Sequence, residues 1–600
     1  METKFLSETN LKFLLHDVHE ISALTEYDAY RHQNRKMFDM VMGAALDLAK
    51  TKLYPILEEM DENIPELLDG SVRVHSAVRN LMKEYGEGGW IGASFPEQYG
   101  GEQLPLAVAM ATRYIFAAAN YSASTFPELT AGAAHLIISF GSEDMVAAYV
   151  PNMLSGKWQG TMALTEPEAG SSLADITASA SPAGDGSYRI KGQKIFISGG
   201  DHDGVDNVVH LMLAKIDGAP AGVKGISLFV VPKKRIDPAG ALVGNDIVVS
   251  QVFHKLGYRG NPITQLSIGE NGDCHGFLLG EPHKGLAYMF QMMNEARLGV
   301  GMGAAAIASA AYYAALEYTR GRTQGRKIGQ KNLADPQVPI IEHADVKRML
   351  LFQRSVVEGS LSLLLQCSMY ADLAHLQDGE DKTKHALLLD LLTPVAKSYP
   401  SEMGILTTSQ AIQCLGGYGY CKDFPVEQYY RDVRIHPIHE GTTGIQGMDL
   451  LGRKVTMHGG ESFNLFNKEV GSTIAHARRS PELAASADQL EASLIELQNV
   501  TRHKIEQAAT SGPEVFLADA TLYLEYFGII VIAWQWLKQA IVAQSQLEKA
   551  SRIRRSFLTG KMFTFRYFFA YELPKTKGLR SRLLDTDPLT VRMESSFFND

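Results

Sequence analysis

Cysteine is scarce in this chain. There are four in 600 residues, Cys274, Cys367, Cys414 and Cys421, and none stands in a C-x-x-C arrangement. So few thiols, so far apart, exclude a disulfide framework; they predict free thiols in a reducing compartment, hence a cytoplasmic protein. Positive charge is not in excess either. The formal net charge is −10, which gives no general case for nucleic-acid binding and leaves only a local basic patch to consider. A long apolar run is also missing. The most apolar stretch, "YFGIIVIAWQWL" (Tyr526–Leu537), is about half of what spans a bilayer. The opening "METKFLSETNLKFLL" places acidic residues before any apolar run, which argues against a secretory signal. Strands and helices do not alternate, so a Rossmann sheet is not expected. "GEGGWIG" (Gly86–Gly92) follows a helix and lacks the strand-then-helix setting of a dinucleotide fingerprint.

What is present is the balance of a globular protein. Apolar residues make up 45% and charged residues 21%, enough for several cores, and the length suggests about three to four domains. In "MFDMVMGAALDLAKTKLYPILEEM" the apolar positions fall three or four apart, one face of a helix. Similar patterns cover 72–86, 105–120 and 142–155. Near residue 158 the period changes. "SYRIKGQKIFISGG", "NVVHLMLAKI" and "KGISLFVVPK" are short, rich in β-branched residues and bounded by Gly, Asp and Pro, which are strand signals. Helix returns over 284–324, 341–378 and 383–415. Pro394 and Pro400 are expected to kink or interrupt the last of these, and Gly416–Gly417 to cap it. Three more helical stretches follow, over 482–510, 513–547 and 549–572. The reading is a mainly α chain with an inserted β domain: a helical domain over 1–157, a β domain over 158–280, a helical bundle over 281–460 and a helical extension over 461–600.

Three stretches carry chemistry. "RIHPIHEGTTGIQGMDLL" (Arg434–Leu451) sets Glu440 on a glycine-threonine loop behind two histidines. The order H-x-x-H-E is not that of a zinc peptidase, and Pro437 and Gly441 break any helix that would align ligands, so no metal is expected. Glu440 is either a loop residue or a carboxylate facing a ligand. "MALTEPEAGSSLAD" (Met162–Asp175) offers free N–H groups and hydroxyls that suit a phosphate or a polar ring edge; the alternative is an ordinary turn with Glu166 and Glu168 in solvent. "QCLGGYGY" (Gln413–Tyr420) reads by itself as a helix C-cap.

Together with "KGQKIFISGG", "KLGYRGNPIT", "NEARLGVGMGA" and "GRTQGRKIG", these blocks stand in the order and spacing of the acyl-CoA dehydrogenase family, which the chain resembles over about residues 35–460. The ending "EGTTGIQGMDLLGRK" and the added helices resemble the longer bacterial branch of that family. The resemblance implies the family fold: an α domain, a β-barrel or sandwich domain and a four-helix-bundle domain, here with a helical C-terminal extension. It implies bound FAD, with Met162, Leu164, Thr165, Gly170 and Ser171 along the flavin or its pyrophosphate and Phe196 and Ser198 beside it. Arg322, Gln413, Gly416 and Gly417 would reach the FAD of a neighbouring subunit, and Thr442 would touch FAD. Ser171, Arg297 and Gly441 fall where the family contacts acyl-CoA. Glu440 falls on the family's catalytic base, which takes the α-proton of the thioester while the β-hydride passes to flavin N5 and electrons go on to an electron-transfer flavoprotein. Some positions depart from the family pattern: Met162 and Phe196 replace a tyrosine and a tryptophan, "RTQGR" lacks a phenylalanine, Asn294 replaces an aspartate, and His439 and Gly444 are also unusual.

The same fold serves acyl-CoA oxidases, which use oxygen, and non-catalytic flavoprotein scaffolds that bind nucleic acid. Only the patch "SRIRRSFLTGK" (Ser551–Lys561), with Phe563, Phe565, Tyr567, Phe568 and Phe569 after it, speaks for the scaffold; its plain reading is a helix with a solvated basic edge and an aromatic core face. For the extension, "DATLYLEYFGIIVIAWQWLKQAI" is apolar almost all round, as a helix buried on several sides should be. Packing on its own catalytic unit is favoured over contact with a membrane surface, and a homodimer is the expected assembly.

Overall fold

Two of the three strand segments read after residue 157 bury both faces, while Tyr188–Ser198 keeps one face partly exposed. In the computed structural model, which describes residues 4–329, 332 and 334–599 (side chains of 291–293 aside), strand Asn207–Ile216 is buried along nearly its whole length, as is Ile226–Pro232. They sit in the middle of an eight-stranded sheet. Its order is Ile247–Val252, Ile263–Ile268, Tyr188–Ser198, His275–Leu278, Ile226–Pro232, Asn207–Ile216, Trp158–Ala163, with Ser179–Pro182 paired off that path. Neighbours are antiparallel except where Asn207–Ile216 meets Trp158–Ala163 and Ser179–Pro182. Ala163, Ile197, Met212, Phe229 and Leu266 form the core of this sheet.

The chain divides into two compact units. One is Met40–Ala296; the other combines Met1–Asp39 with Arg297–Asp600. The first unit holds the sheet and helices Leu106–Ala119, Tyr121–Phe140 and Glu143–Leu154. Helix Tyr121–Phe140 was not anticipated, because Pro127 lies inside it. It starts on a side-chain cap, Asn120 accepting from the Ala123 N–H at 3.1 Å, and Pro127 falls in its second turn, close to where a proline costs least. A short hairpin, Glu66–Leu68 with Ser71–Arg73, also escaped the sequence reading; Val72 joins the sheet core.

The second unit is built on helices Ala344–Leu376 and Gly379–Leu415. The expectation that Pro394 and Pro400 interrupt the latter is corrected: the helix runs through both. Pro400 has no N–H to offer the Ala396 carbonyl. The bare backbone of Gly301 lies against that oxygen, where an added Cβ would stand 2.1 Å away. A close Cα–H contact of this kind softens the loss of one ladder bond. The helix ends at Leu415 on Gly416, at φ 60°, as the glycine pair predicts.

Helices Met457–Ala477, Pro481–Leu517, Ala520–Leu547 and Arg552–Tyr567 make up most of the extension. The first was missed in the sequence. Its start includes His458, Gly459 and Gly460 at positive φ, which breaks the apolar period there. Ala520–Leu547 and Gly285–Gly321 are long and apolar enough to cross a membrane, but 83% and 89% of their most apolar windows are buried inside the protein. Ala520–Leu547 packs directly on the bundle. A Cβ on Gly359 would meet Ile532 at 2.7 Å, and one on Gly447 would meet the Ala520 carbonyl at 2.7 Å. Trp536 Nε1 donates to the Ser355 carbonyl at 3.0 Å, and Ser362 donates to Gln535 at 2.7 Å.

The basic edge of Arg552–Tyr567 is solvated only in part: Arg552 and Arg555 are exposed, Arg554 is half-buried, and Lys561 turns inward. Lys561 is buried and pairs with Glu358 at 2.8 Å, while Arg354 holds the other oxygen of Glu358 at 2.9 Å. Arg554 reaches Asp17 at 2.6 Å. Phe565, Tyr567, Phe568 and Phe569 face the core, and only Phe563 of that group is exposed. Burial alone would raise the Glu358 pKa; the charges of Arg354 and Lys561 outweigh it and hold the carboxyl below its ordinary range. Glu358→Ala leaves Lys561 as an uncompensated buried charge, a change that costs about 3–5 kcal/mol. We expect a matching fall in stability in urea unfolding followed by tryptophan fluorescence, and far less from a change at the exposed Phe563.

Candidate functional site

In the first unit the block "LTEPEAGSS" follows strand Trp158–Ala163 and is locked from below by its own glutamate. Glu166 is not in solvent, as the plain reading of this turn had it, but buried. Its carboxylate accepts from Lys194 Nζ at 2.8 Å, from the Thr177 N–H at 2.6 Å and hydroxyl at 2.8 Å, and from the Ala178 N–H at 3.0 Å. Lys194 also donates to the Leu164 carbonyl at 3.0 Å. Burial pushes the Glu166 pKa up, but Lys194 and the Thr177 donors outweigh it and the carboxyl stays ionised below its ordinary value.

A β-bulge sets the next residue. Leu266 pairs with Lys194 and Thr264 with Ile197, so Ile195 and Phe196 together oppose Gln265. The extra residue frees the Ile195 N–H to bond the Thr165 carbonyl at 2.9 Å. It also turns Phe196, at φ 59°, out of the sheet. Phe196 is 58% exposed, its ring 4.9 Å from that of Phe253. The bulge and the Lys194 bond thus bring the first two predicted groups together. Met162, Leu164, Thr165 and Ser198 are half-buried, and Gly170 and Ser171 are exposed. The result is a rigid ledge of backbone and small polar groups with one flat apolar ring standing on it.

In the second unit Glu440 lies in the turn between helices Val426–Val433 and Thr443–Asp449. It is itself left-handed, at φ 53°, followed by Gly441 at φ 86°. The positive φ favours glycine at 441, and a Cβ there would also meet Gln446 Nε2 at 2.6 Å and push that amide aside. Thr442 caps the next helix, its hydroxyl accepting from the Ile445 N–H at 3.3 Å. Glu440 keeps some solvent contact, yet the protein around it is dense. Burial raises its pKa above the ordinary 4.5, while the positive charges of Arg297 and Lys397 pull the other way. The neighbouring His436 and His439 rings lie 5.4 Å apart. Burial depresses both imidazoles, His436 to about 3, so both are neutral at pH 7. Among the described residues no cluster of three or more His, Cys, Asp or Glu could hold a metal.

Arg297 sits inside this unit, paired with Asp449 at 3.3 Å. Its charge is among those acting on Glu440. Arg322, Gln413, Gly416 and Gly417 are exposed, while Cys414 and Leu415 between them are buried. They lie at one end of the bundle, because the Tyr318 ring, on the last turn of the helix before Arg322, packs at 6.5 Å from Tyr418 and 5.4 Å from Phe424. Sequence reasoning missed Lys397, Gln446 and Asp449. Gln446 donates to the Glu440 carbonyl at 3.2 Å. Lys397 donates to the carbonyls of His436 at 2.6 Å and Gly441 at 2.8 Å. A lysine inside an otherwise apolar helix stretch was the one available signal.

A helical chain with an inserted sheet, and a half-buried carboxylate on a left-handed loop, point to a narrow class of enzyme. Models of the N-terminal, middle and C-terminal domains of acyl-CoA dehydrogenases match residues 38–157, 161–270 and 283–455, and an acetyl-CoA dehydrogenase C-terminal-like model matches 466–594. The chain belongs to the acyl-CoA dehydrogenase family. It is 36% identical over 538 residues to 3-methylmercaptopropionyl-CoA dehydrogenase of Ruegeria pomeroyi, covering 89% of this chain and 90% of that one. It is 32% identical to a butyryl-CoA dehydrogenase of Syntrophomonas wolfei, covering 98% of each. Among solved structures, an acyl-CoA dehydrogenase of Bacillus anthracis complexed with FAD has the same fold, with a TM-score of 0.71 at 20% identity over 94% of each chain.

Lys194→Met strands the Glu166 carboxylate without its counter-charge. We expect faster amide exchange at Thr177 and Ala178 and a lower melting temperature. The stability contributed by Glu166 is present in the wild type above its ordinary value of 4.5 and is lost as pH falls through the depressed folded value. The wild-type advantage over Lys194→Met should therefore shrink on acidification, which melts at a series of pH values would measure.

Proposed function

We propose that this chain is an FAD-dependent acyl-CoA dehydrogenase in which Glu440 removes the α-proton of the bound thioester and electrons pass on to an electron-transfer flavoprotein. The observation that carries this reading is the state of Glu440: a carboxylate whose proton affinity is raised by burial, held on a loop in a conformation that non-glycine residues rarely adopt. An α-proton next to a thioester is weakly acidic, and a carboxylate stripped of water binds it better than one in solvent. The backbone N–H of Glu440 serves the developing enolate oxygen in this reading; a fixed donor there costs no reorganisation during the reaction.

The first unit's ledge fits a flavin. Phe196 offers an exposed apolar ring face, Thr165 and Ser198 offer hydroxyls, and the open backbone at Gly170–Ser171 suits a pyrophosphate. When bound, FAD supplies the acceptor for the β-hydride. Leu164 and Thr165 would hold the ring system, with Lys194 and Glu166 keeping their loop in place. Gly441, at φ 86°, shapes the turn that presents the base.

Glu440→Gln keeps the shape and cannot take a proton. It should bind FAD and acyl-CoA, with anaerobic flavin bleaching slowed by at least ~10²-fold. The assay uses butyryl-, octanoyl-, palmitoyl- and 3-methylmercaptopropionyl-CoA, which also reports the preferred acyl group. In the wild type, the acid limb of the second-order rate constant for reduction should lie above pH 4.5, because the base is raised above that value. Near wild-type bleaching by Glu440→Gln would remove the assignment.

Arg322 and the Gln413–Gly417 turn support a dimer in which each chain reaches the partner's FAD. Light scattering should give at least a dimer with about one FAD per chain, and Arg322→Ala should lower FAD retention. A monomer holding stoichiometric FAD would refute the shared site.

A further inference from the structure

Lys397 is buried on helix Gly379–Leu415 and, among the described residues, hydrogen-bonds two carbonyls and no carboxylate. Three other buried lysines have acidic partners, Lys194 with Glu166, Lys454 with Asp390 and Lys561 with Glu358; buried Lys504, like Lys397, bonds a neutral group, the Gln507 amide. A buried ammonium held only by carbonyls is costly unless something else offsets it. The two carbonyls are not arbitrary. His436 and Gly441 bracket Glu440, so one side chain ties both ends of the turn that carries the carboxylate. Gln446 ties the carbonyl of Glu440 itself.

That turn needs holding. A non-glycine residue in the left-handed region costs of the order of 1–3 kcal/mol and persists only where the surroundings fix it. Helix Gly379–Leu415 supplies the fixing group across the bundle. The acidic group that acts most strongly on Lys397 is Glu440, followed by Glu402; Arg297 opposes them. From this geometry we infer that Lys397 is a positioning residue for Glu440, fixing the left-handed turn through the two backbone carbonyls that bracket it and bringing a positive charge to that turn. The inference rests on Glu440 being the base.

The other ionisable groups around this turn are accounted for. Arg297 comes from helix Gly285–Gly321 and is shared with Asp449, Glu402 is bonded by the Thr443 hydroxyl, and His436 and His439 are neutral. Of the two cations that act on Glu440, Lys397 is therefore the one with no carboxylate bonded to it among the described residues. Burial lowers its own pKa to about 8, so it is charged at neutral pH. Above that value it keeps two N–H groups for the two carbonyls while losing its charge.

The test compares Lys397→Met, Lys397→Arg and Gln446→Leu as FAD-loaded enzymes, using the fastest acyl-CoA of the panel and anaerobic stopped-flow reduction across pH. Lys397→Met removes tie and charge. Its acid limb should move up by about one pH unit, the lower end of what a nearby opposite charge does to a carboxylate, and its plateau rate should fall. Lys397→Arg keeps the charge and should keep the limb near its wild-type place. Gln446→Leu removes a backbone tie alone and should lose rate without moving the limb. If Lys397→Met does not hold FAD, Lys397→Gln, which keeps an N–H and drops the charge, takes its place with the same expected shift. A Lys397→Met profile that superimposes on the wild type overturns the inference. So does loss of FAD and fold in both uncharged variants, which would make Lys397 a residue of the bundle rather than of the turn. Glu440→Gln, run alongside, separates the two levels: if it still reduces flavin, the base assignment itself has failed; if it is inert while Lys397→Met is unchanged, only the role of Lys397 falls.

Discussion

A carboxylate that takes a proton must be dry enough to want it and fixed enough to meet it, and in this protein both conditions are placed on a turn that would not hold its shape alone. Glu440 occupies a left-handed conformation. Its loop is bonded from helix Gly379–Leu415 by Lys397 and from helix Thr443–Asp449 by Gln446. Much of the second unit serves to keep those two helices where they are. Gly404 and Gly301 allow close approach to the long helix, and Gly447 allows the helix after the base to touch the extension.

That last contact changes how the extension reads. Helix Ala520–Leu547 packs on the helix that follows Glu440 and on helix Ala344–Leu376 through tryptophan and glutamine bonds. Lys561 places a charge in the same layer, satisfied by Glu358 and Gln539. Replacing such an ion pair with apolar residues is often neutral for stability; what it adds here is a fixed register between the extension and the bundle. The extension is thus part of the scaffold that supports the base, which it does through the helices that hold the turn.

The first unit solves a different problem, presenting a flat ring from a sheet whose side chains otherwise point into a core or out to water. A bulge does this, with one residue opposed by two, and the N–H it frees fastens the neighbouring loop. Glu166, which looks like a surface residue of an acidic turn, is the buried pin of that loop. Alternating patterns reveal strands but not bulges, because an extra residue shifts the register without changing composition.

The sequence by itself determined the order of elements, the β insertion, the glycine cap at Leu415 and the Glu440 loop. Each of these is a local matter, written in periodicity, turn residues and short ordered blocks. The tertiary structure decided what depends on partners far along the chain. Lys397 meets its carbonyls 39 and 44 residues on, and Arg297 meets Asp449 152 residues on. No spacing rule links such pairs. It also decided that Pro394 and Pro400 do not break their helix, since a neighbouring glycine backbone covers one of the carbonyls they leave, and that Lys561 turns inward to a buried carboxylate. A local preference yields wherever packing against a distant segment offers more than solvent does, and only the folded chain shows where that happens.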